Sequence, residues 1–145
     1  MAPSSSEGYS GTPLPRKLGI DEGGTFAIVA DPGHADELLA PLPAGSHRLD
    51  EPSGADVVVL FTTARDDLAA RLDGLGAAIF PDRVLWVAWP KRASKVPTDL
   101  TEDVVRELAL PLGLVDTKVA AVDGTWSGLK LVWRRERREQ PTPGG

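Results

Sequence analysis

The sequence predicts a single α/β domain in which helices cover both faces of a mostly parallel β-sheet and an antiparallel hairpin closes the sheet. Three observations predict this three-layer sandwich. Short apolar runs rich in β-branched residues alternate with segments of helical periodicity, the longer of these segments can cross over a sheet, and two strand-like segments follow one another near the carboxyl end. Parallel strands need such crossovers, whereas an antiparallel pair needs only a loop.

The strand predictions depend on short runs of apolar residues between Gly, Pro and Asp. Runs that are apolar throughout are typical of strands buried on both faces of a parallel sheet. They are residues 25–30, 56–62 and 83–89, with residues 46–49 as a short edge strand. The closing hairpin is predicted from residues 115–122 and 129–133, joined by a loop at 123–128 that is too long for a two-residue turn.

The longest helix is predicted over residues 64–79. Its apolar residues recur at i, i+4, i+7 and i+11, the spacing of one helical face, and they are Leu68, Leu72, Leu75 and Ile79. Thr63 stands at the N-cap position, and Asp66 and Asp67 lie near the positive end of the helix dipole. A shorter helix is predicted before the edge strand, with the apolar residues Leu38, Leu39 and Leu42.

A third helix is predicted after the polar loop at residues 90–98. Asp99 and Glu102 have the spacing of a capping box, in which side chains satisfy the free amides of the first turn. Pro111 and Gly113 end this helix. Its predicted buried stripe consists of Leu100, Val104 and Leu108.

The composition is that of an ordinary globular domain, with 145 residues, 41% hydrophobic and 26% charged. Residues 1–15 are predicted to be a flexible segment and residues 136–145 a disordered tail, around one domain at 16–135. The net charge of −5 makes nucleic acid an unfavoured partner. The absence of cysteine excludes a disulfide framework, a thiolate zinc site and a cysteine nucleophile. No membrane span or signal peptide is recognisable, so a cytoplasmic protein is expected.

Motifs of known enzyme classes are weak in this chain. The loop at residues 31–36 contains one glycine, where a cofactor loop of this kind of fold usually contains several. Asp50 and Glu51 follow at roughly the distance of a ribose-binding carboxylate, about 20 residues on, although a plain turn explains them better. His34 and His47 have no partner at metal-ligand spacing, so no metal site is expected. No catalytic residue is assigned, and the cofactor stays unknown.

The best candidate for a binding site is the loop at residues 89–99, which leaves the carboxyl end of a predicted strand. Open α/β sheets bind ligands at that edge. The loop gathers three cations beside an aromatic residue in an otherwise acidic protein. The predicted ligand-binding residues are Trp89, Lys91, Arg92, Lys95 and Asp99. An anionic small molecule or the acidic segment of a protein would suit them, and a solvated basic loop with Trp89 in the core is the alternative.

Trp126 is the sixth predicted ligand-binding residue. It stands in the loop of the closing hairpin, near Gly124, Ser127 and Gly128. Such a tryptophan either covers the core beneath the hairpin or offers a flat surface to a partner. The first explanation is slightly favoured, and both stay open.

Two segments resemble class I methyltransferases. Residues 80–87, Phe-Pro-Asp-Arg-Val-Leu-Trp-Val, look like the turn and strand that those enzymes write as Leu-x-Pro-Gly-Gly-x-Leu. Residues 17–23 are similar to the lead-in to their first strand. The resemblance implies the methyltransferase-like variant of the Rossmann fold, whose sheet also ends in an antiparallel hairpin.

A second resemblance covers most of the chain. Tyr-Ser-Gly-Thr-Pro-Leu at 9–14 and Trp-Pro-Lys at 89–91 are distinctive in combination with four other segments. Those segments are residues 17–20, 97–101, 112–116 and 126–130. Together they resemble a family of small bacterial proteins called domain of unknown function three-zero-five-two. This resemblance implies no activity, substrate or catalytic residue.

Three functions follow as hypotheses. The leading one is a non-catalytic, Rossmann-like binding or regulatory module that recognises an anionic ligand or a protein partner through residues 89–99, with help from Trp126 and from residues 9–14 folded back over the sheet. The alternative is a small, divergent methyltransferase-like enzyme that uses S-adenosylmethionine, with a cofactor loop at residues 31–36. The third is a structural subunit whose exposed edge strand pairs with another chain.

Overall fold

The computed structural model describes residues 13–138. In chain order, its helices and strands are α1 (Leu14–Leu18), β1 (Thr25–Val29), α2 (Ala35–Leu39), β2 (His47–Arg48), β3 (Val57–Phe61), α3 (Arg65–Ile79), β4 (Val84–Pro90), α4 (Glu102–Ala109), β5 (Leu114–Ala121), β6 (Trp126–Trp133) and α5 (Arg135–Arg138). Short 3-10 turns at Arg92–Ser94 and Leu110–Leu112 precede and follow α4. Each predicted strand and helix is therefore present within a few residues of its predicted bounds.

The six strands form one mixed sheet in the order β2-β1-β3-β4-β6-β5. β1 is parallel to β2 and β3, and β3 is parallel to β4. β6 runs antiparallel to both β4 and β5 and closes the sheet. The predicted fold class, a mostly parallel sheet ending in an antiparallel hairpin, is confirmed.

Alternate residues of the strands face two separate hydrophobic layers, as the period of two along a strand requires. On one face Val58, Leu60 and Val87 pack with the buried residues of α3 and α4, including Leu68 and Val105. On the other face the packing partners come from α1 and α2, and the residues are Phe26, Val59, Trp86, Leu18 and Leu39. The sheet therefore lies between two helical layers, as predicted.

Two buried tryptophans tie the sheet to the helical layers. The indole N–H of Trp86 donates to the carbonyl of Leu18 at 2.9 Å, and that of Trp133 donates to the carbonyl of Gly76 at 2.9 Å. Both rings are fully buried, so these hydrogen bonds satisfy polar atoms that would otherwise be costly inside a core. Both tryptophans therefore belong to the core.

The ends of the described chain are helical. Pro15 of α1 is buried inside the stretch expected to be flexible, and α5 reaches Arg138 inside the expected tail. The guanidinium of Arg137 lies 5.3 Å from the centre of the Trp133 ring, which anchors α5 to the core. The rest of the two expected tails, and the suggested folding back of residues 9–12, lie outside the described residues. No helix between residues 13 and 138 has the length and hydropathy needed to span a membrane.

The predicted caps of the two long helices are wrong. α3 has Ala64, not Thr63, at its N-cap, and no side chain of that residue accepts a hydrogen bond. Instead the Asp99 carboxylate accepts from the backbone N–H of Arg65 at 2.7 Å. Asp99 therefore caps α3 from a distant loop rather than opening the helix that follows it.

α4 begins two residues later than predicted. Its N-cap is Thr101, whose hydroxyl accepts from the backbone N–H of Val104 at 3.2 Å. Leu100 is buried but lies before the helix, and Leu108 is only partly buried. The fully buried positions of α4 are Val105 and Ala109. The buried stripe is thus rotated relative to the predicted one.

Two smaller expectations also differ from the structure. α2 ends at Leu39, so Leu42 lies outside it and is exposed. β6 begins at Trp126 rather than Leu129, which leaves a loop of only residues 122–125 between β5 and β6. Trp126 therefore belongs to a strand and not to a long loop.

Candidate functional site

The loop after β4 leaves the sheet at the edge where β1, β3 and β4 all end. β4 pairs with β6 up to its last residue, with Trp89 opposite Ser127. Lys91 then donates its backbone N–H to the carbonyl of Thr125 at 2.8 Å, which continues the pairing one step past the strand. The start of the loop is therefore held by the closing hairpin.

The next part of the loop is a turn at residues 91–96 that is held by hydrogen bonds. The backbone N–H and the hydroxyl of Ser94 both donate to the carbonyl of Lys91, at 3.0 and 2.7 Å, and the same hydroxyl accepts from the N–H of Val96 at 3.2 Å. Lys95 adopts a left-handed backbone conformation with φ of 64°, and its N–H donates to the carbonyl of Arg92 at 3.1 Å. These bonds determine the direction in which Arg92 and Lys95 leave the turn.

The end of the loop is anchored to the neighbouring strand connection. The hydroxyl of Thr98 donates to the carbonyl of Thr63 at 2.6 Å, and Asp99 accepts from Arg65 as described above. Both contacts join the loop to the start of α3. The loop is consequently fixed at two ends with a cavity between it, β6 and α4.

This cavity, which we call the basic groove, has a volume of about 430 Å³ and is lined by Trp89, Lys91, Arg92 and Lys95, among others. Within residues 13–138 no carboxylate forms an ion pair with Lys91, Arg92 or Lys95. We refer to these three residues as the groove cations. Three positive side chains that share one concave surface raise its local potential despite the chain's net charge of −5.

One acidic residue, Glu102, also lines the basic groove. Its carboxylate pairs with Arg106 of the same helix, and Arg106 also binds Asp103 at 3.1 Å and Asp116 at 3.0 Å. Because the one positive charge of Arg106 is shared among three carboxylates, the Glu102 charge is only partly countered inside the protein.

Four of the six predicted ligand-binding residues line the basic groove, and two do not. Asp99 is occupied with the start of α3. Trp126 is buried on the opposite face of the sheet, where its ring meets that of Phe61 edge-on at 5.0 Å. Asp99 and Trp126 therefore do not line the basic groove, and β6 places Ser127 rather than Trp126 on the groove side of the sheet.

Sequence reasoning missed two hydroxyl residues of the basic groove, Thr101 and Ser127. Ser127 reaches the groove through the antiparallel register that sets it opposite Trp89. The period-two alternation of β6 is a signal for its orientation, but the pairing partner of Ser127 cannot be read from a single sequence.

The loop between β1 and α2 forms a second polar region on the same edge of the sheet. The Asp31 carboxylate accepts from the backbone N–H groups of Gly33 and Ala35 at 2.7 and 3.3 Å. Arg48, at the end of β2, bridges Asp31 at 3.2 Å and Asp36 at 3.0 Å. Partial burial alone would raise the pKa of Asp31, but these amides and Arg48 outweigh it and lower that pKa below its usual value.

A second contact closes this region from the hairpin side. The imidazole of His34 lies 3.2 Å from the carboxylate of Asp123, whose other oxygen accepts from the N–H groups of Thr125 and Trp126, both at 2.8 Å. Burial by itself raises the pKa of Asp123, but the two amides and His34 more than offset it and lower the pKa overall. The β1–α2 loop and the β5–β6 loop are thereby joined.

No cluster of three or more metal-ligating side chains is present between residues 13 and 138. Asp50 and Glu51 lie exposed in the bend that follows β2. The apolar cavity between α1, α2 and the sheet measures only about 10 Å³, roughly the room of one water molecule.

No protein-family model and no curated protein matches the chain. The resemblance to the small bacterial family therefore stays an expectation from the sequence. Comparison with solved structures, by contrast, gives matches to the fold.

ChlM, the magnesium protoporphyrin IX methyltransferase from Synechocystis PCC 6803, solved with S-adenosylmethionine bound, matches with a TM-score of 0.57 and 11% identity over 83% of this chain and 74% of ChlM. LepI in complex with S-adenosylmethionine matches with a TM-score of 0.53 and 14% identity over 85% of this chain. This chain spans about half of LepI, 47% of its length.

A Sulfolobus solfataricus protein described as a type 11 methyltransferase matches with a TM-score of 0.50 and 12% identity, over 81% of this chain and 75% of that protein. At such identities the likeness shows the fold alone, since one fold can carry many activities. The chain has the methyltransferase-like Rossmann fold that the sequence predicts.

Proposed function

We propose that this domain binds an anionic ligand in the basic groove. The observation that carries the proposal is the convergence of three groove cations on one cavity without a carboxylate partner among residues 13–138. Charge-assisted hydrogen bonds to an external anion would satisfy these cations. The location of the basic groove supports the proposal too. The groove lies beyond the carboxyl end of β4, and ligands of open α/β sheets bind beyond the carboxyl ends of the strands.

The size and rigidity of the basic groove favour a defined ligand. Its volume of about 430 Å³ can admit a small molecule, and because two other surface hollows measure about 380 and 410 Å³, the groove is distinguished by its cations and not by its size. The backbone of the loop that carries the groove cations is hydrogen-bonded to Thr125 of the β5–β6 loop and to Thr63 just before α3, so little ordering of the backbone is needed on binding. Either a small anion or an acidic segment of a protein is compatible with these features, as a binding or regulatory module requires.

Charge-removing substitutions test the proposal. Lys91→Gln, Arg92→Gln and Lys95→Gln are combined in one variant, and Lys130→Gln, Arg134→Gln and Arg135→Gln in a control variant of the same net charge. The wild type and both variants are heated with nucleotides, phosphorylated metabolites and acidic peptides. A ligand that prefers the folded state raises the melting temperature.

We expect stabilisation of the wild type and the control and its loss in the groove variant, whose own melting temperature stays close to that of the wild type. Equal stabilisation of all three proteins would contradict the proposal. A large loss of stability in the unliganded groove variant would also contradict it, because that result assigns the groove cations a structural role.

A second candidate function is methyl transfer from S-adenosylmethionine. The solved structures of similar fold favour this methyltransferase-like alternative over a non-catalytic module, since two of them hold that cofactor. In this candidate the cofactor would lie where β1 and β2 end, beside the basic groove. Asp50 suits such a cofactor by its place after β2, where a carboxylate can accept from a ribose hydroxyl.

The other residues of that edge do not fit the cofactor as they stand. The β1–α2 loop contains one glycine, and two of its amides are given to Asp31. Arg48 and the contact between His34 and Asp123 bring further side chains over the same edge. A cofactor could occupy this edge only after displacing these contacts.

Direct binding measurements decide on the second candidate. S-adenosylmethionine and S-adenosylhomocysteine are titrated by calorimetry into the wild type, into Asp50→Asn and into Asp73→Asn, a control for an exposed acid on α3. Binding that Asp50→Asn weakens and Asp73→Asn leaves unchanged would support the enzyme. The absence of binding to all three proteins at millimolar cofactor would remove it.

A further inference from the structure

The lining of the basic groove combines charged and apolar side chains. Beside the groove cations it includes Val96, whose side chain is 40% accessible, and Pro97, which directly follow Lys95 in the loop. Trp89 and Leu100 form a buried apolar floor below them. A ligand that fills this groove therefore meets both positive charge and apolar surface.

The backbone at Lys95 adds a second, independent observation. Its φ of 64° lies in the left-handed region, which L-residues other than Asn and Asp adopt rarely and glycine adopts freely. Between residues 13 and 138 only Ala30 shares this property among non-glycine residues. Lys95 is the left-handed C-cap of the 3-10 turn at Arg92–Ser94, so the backbone strain at this position accompanies a lysine that lines the groove.

We infer that the basic groove takes a phosphate monoester whose organic part is apolar, an inference that rests on the proposed function. Three cations can share the oxygens of a doubly charged group, whereas a single carboxylate would leave part of their charge unmatched. Thr101 and Ser127, which also line the groove, add hydroxyl donors. The apolar part lies along Val96 and Pro97, which shields it from water.

Four probes of graded chemistry test this inference by calorimetry at constant ionic strength. Phenyl phosphate has both features, inorganic phosphate lacks the apolar part, benzenesulfonate carries a single charge, and an acidic peptide represents a protein partner. We expect phenyl phosphate to bind most tightly, by roughly fivefold or more over inorganic phosphate and benzenesulfonate.

The outcomes separate the two proposals. Binding of none of the four probes would overturn both the proposed function and this inference. Inorganic phosphate or benzenesulfonate binding as tightly as phenyl phosphate would overturn the inference alone, and so would tighter binding of the acidic peptide. In those cases the groove remains an anion site with a different preference.

Two single variants test the charged and the apolar contacts of the groove separately. Lys95→Gly should melt at the same or a higher temperature than the wild type, because glycine relieves the left-handed backbone, and yet bind phenyl phosphate roughly tenfold more weakly. Val96→Ser should weaken phenyl phosphate and leave inorganic phosphate unchanged. Unaltered phenyl phosphate affinity in either variant would contradict the placement of its two parts.

Discussion

The Asp99 carboxylate caps a helix that begins far away in sequence, accepting from the backbone N–H of Arg65 at 2.7 Å across 34 positions of the chain. Asp99 stands beside the basic groove but points its acceptor toward α3. The contact therefore joins the stability of α3 to the loop that carries the groove cations.

We expect Asp99→Ala to lower the free energy of unfolding by about 1 kcal/mol, the usual cost of losing a helix cap. Asp99→Asn keeps an acceptor oxygen and should lose much less. Urea titrations of the three proteins measure the difference. The expectation fails if Ala and Asn lower stability equally, since the carboxylate would then not act as an acceptor for the Arg65 amide.

Trp126 is expected to act through packing alone. Trp126→Phe shrinks a buried ring that meets Phe61 edge-on and should cost about 1.5 kcal/mol of unfolding free energy. Since the sheet separates this ring from the basic groove, the affinity of the groove for phenyl phosphate should not change. A variant of normal stability with weakened binding would return Trp126 to the ligand site.

Two glycines of α3 offer a matched pair of substitutions. A methyl group at Gly74 would meet no atom within 4 Å, whereas one at Gly76 would lie 3.2 Å from the Trp133 ring. Gly74→Ala should therefore stabilise the protein by about 0.8 kcal/mol through helix propensity. Gly76→Ala gains the same propensity but crowds a ring whose N–H is bound to the Gly76 carbonyl, and should destabilise by about 1 kcal/mol.

Thermal denaturation of the two glycine variants checks this pair. The Trp133 ring is also held by Phe80, edge-on at 5.5 Å, so it has little freedom to move aside. A Gly76→Ala protein as stable as Gly74→Ala would mean that the ring relaxes at no cost.

Stability should fall in acid through carboxylates whose pKa is lowered in the folded state. The pKa of Asp67 is lowered mainly by the hydrogen bond from Thr62 at 2.7 Å, while for Asp31 and Asp123 hydrogen bonds outweigh the opposing effect of burial. A group with a lowered folded pKa stabilises the fold above its unfolded pKa, about 3.9 for Asp, and loses that contribution as the pH falls through the folded pKa.

Asp123→Asn isolates one of these carboxylates. The amide oxygen can still accept from Thr125 and Trp126, but it does not titrate. The unfolding free energy of the variant should therefore decline less steeply than that of the wild type between about pH 5 and pH 2. Urea titrations along this pH series measure both slopes, and parallel slopes would show that Asp123 has the same pKa in both states.

The strands of this fold can be predicted because each is decided by local chemistry. An apolar run such as β3 is buried along its whole length whatever its neighbours are, and Leu68 and Leu72 face the core because a helix repeats every 3.6 residues. The helix ends are harder to predict. Asp99 has the right residue type and spacing for a local cap, but a distant amide competes for it and wins.

Only those residues of the basic groove that lie in one continuous loop can be predicted from the sequence. Lys91, Arg92 and Lys95 share a loop, so their proximity follows from the sequence itself. Ser127 joins them and Trp126 leaves them through the register of β6 against β4, which depends on pairing between distant segments. The ion pair between Asp31 in the β1–α2 loop and Arg48 at the end of β2 also joins segments that are separate in the sequence, so it cannot be read from either segment alone.

The outer strand β5 affects how readily another chain can add a strand to this edge of the sheet. Its pairing with β6 is interrupted between Asp116 and Lys118, and the Lys118 ammonium donates to the carbonyl of Lys17 at 3.4 Å. Lys17 in turn donates to the carbonyl of Ala121 at 3.3 Å. Bulges and lysines at an open strand discourage the addition of a further strand. The register shift and the two lysines therefore make β5 a poorer site for the addition of a strand from another chain than a regular, uncharged edge strand.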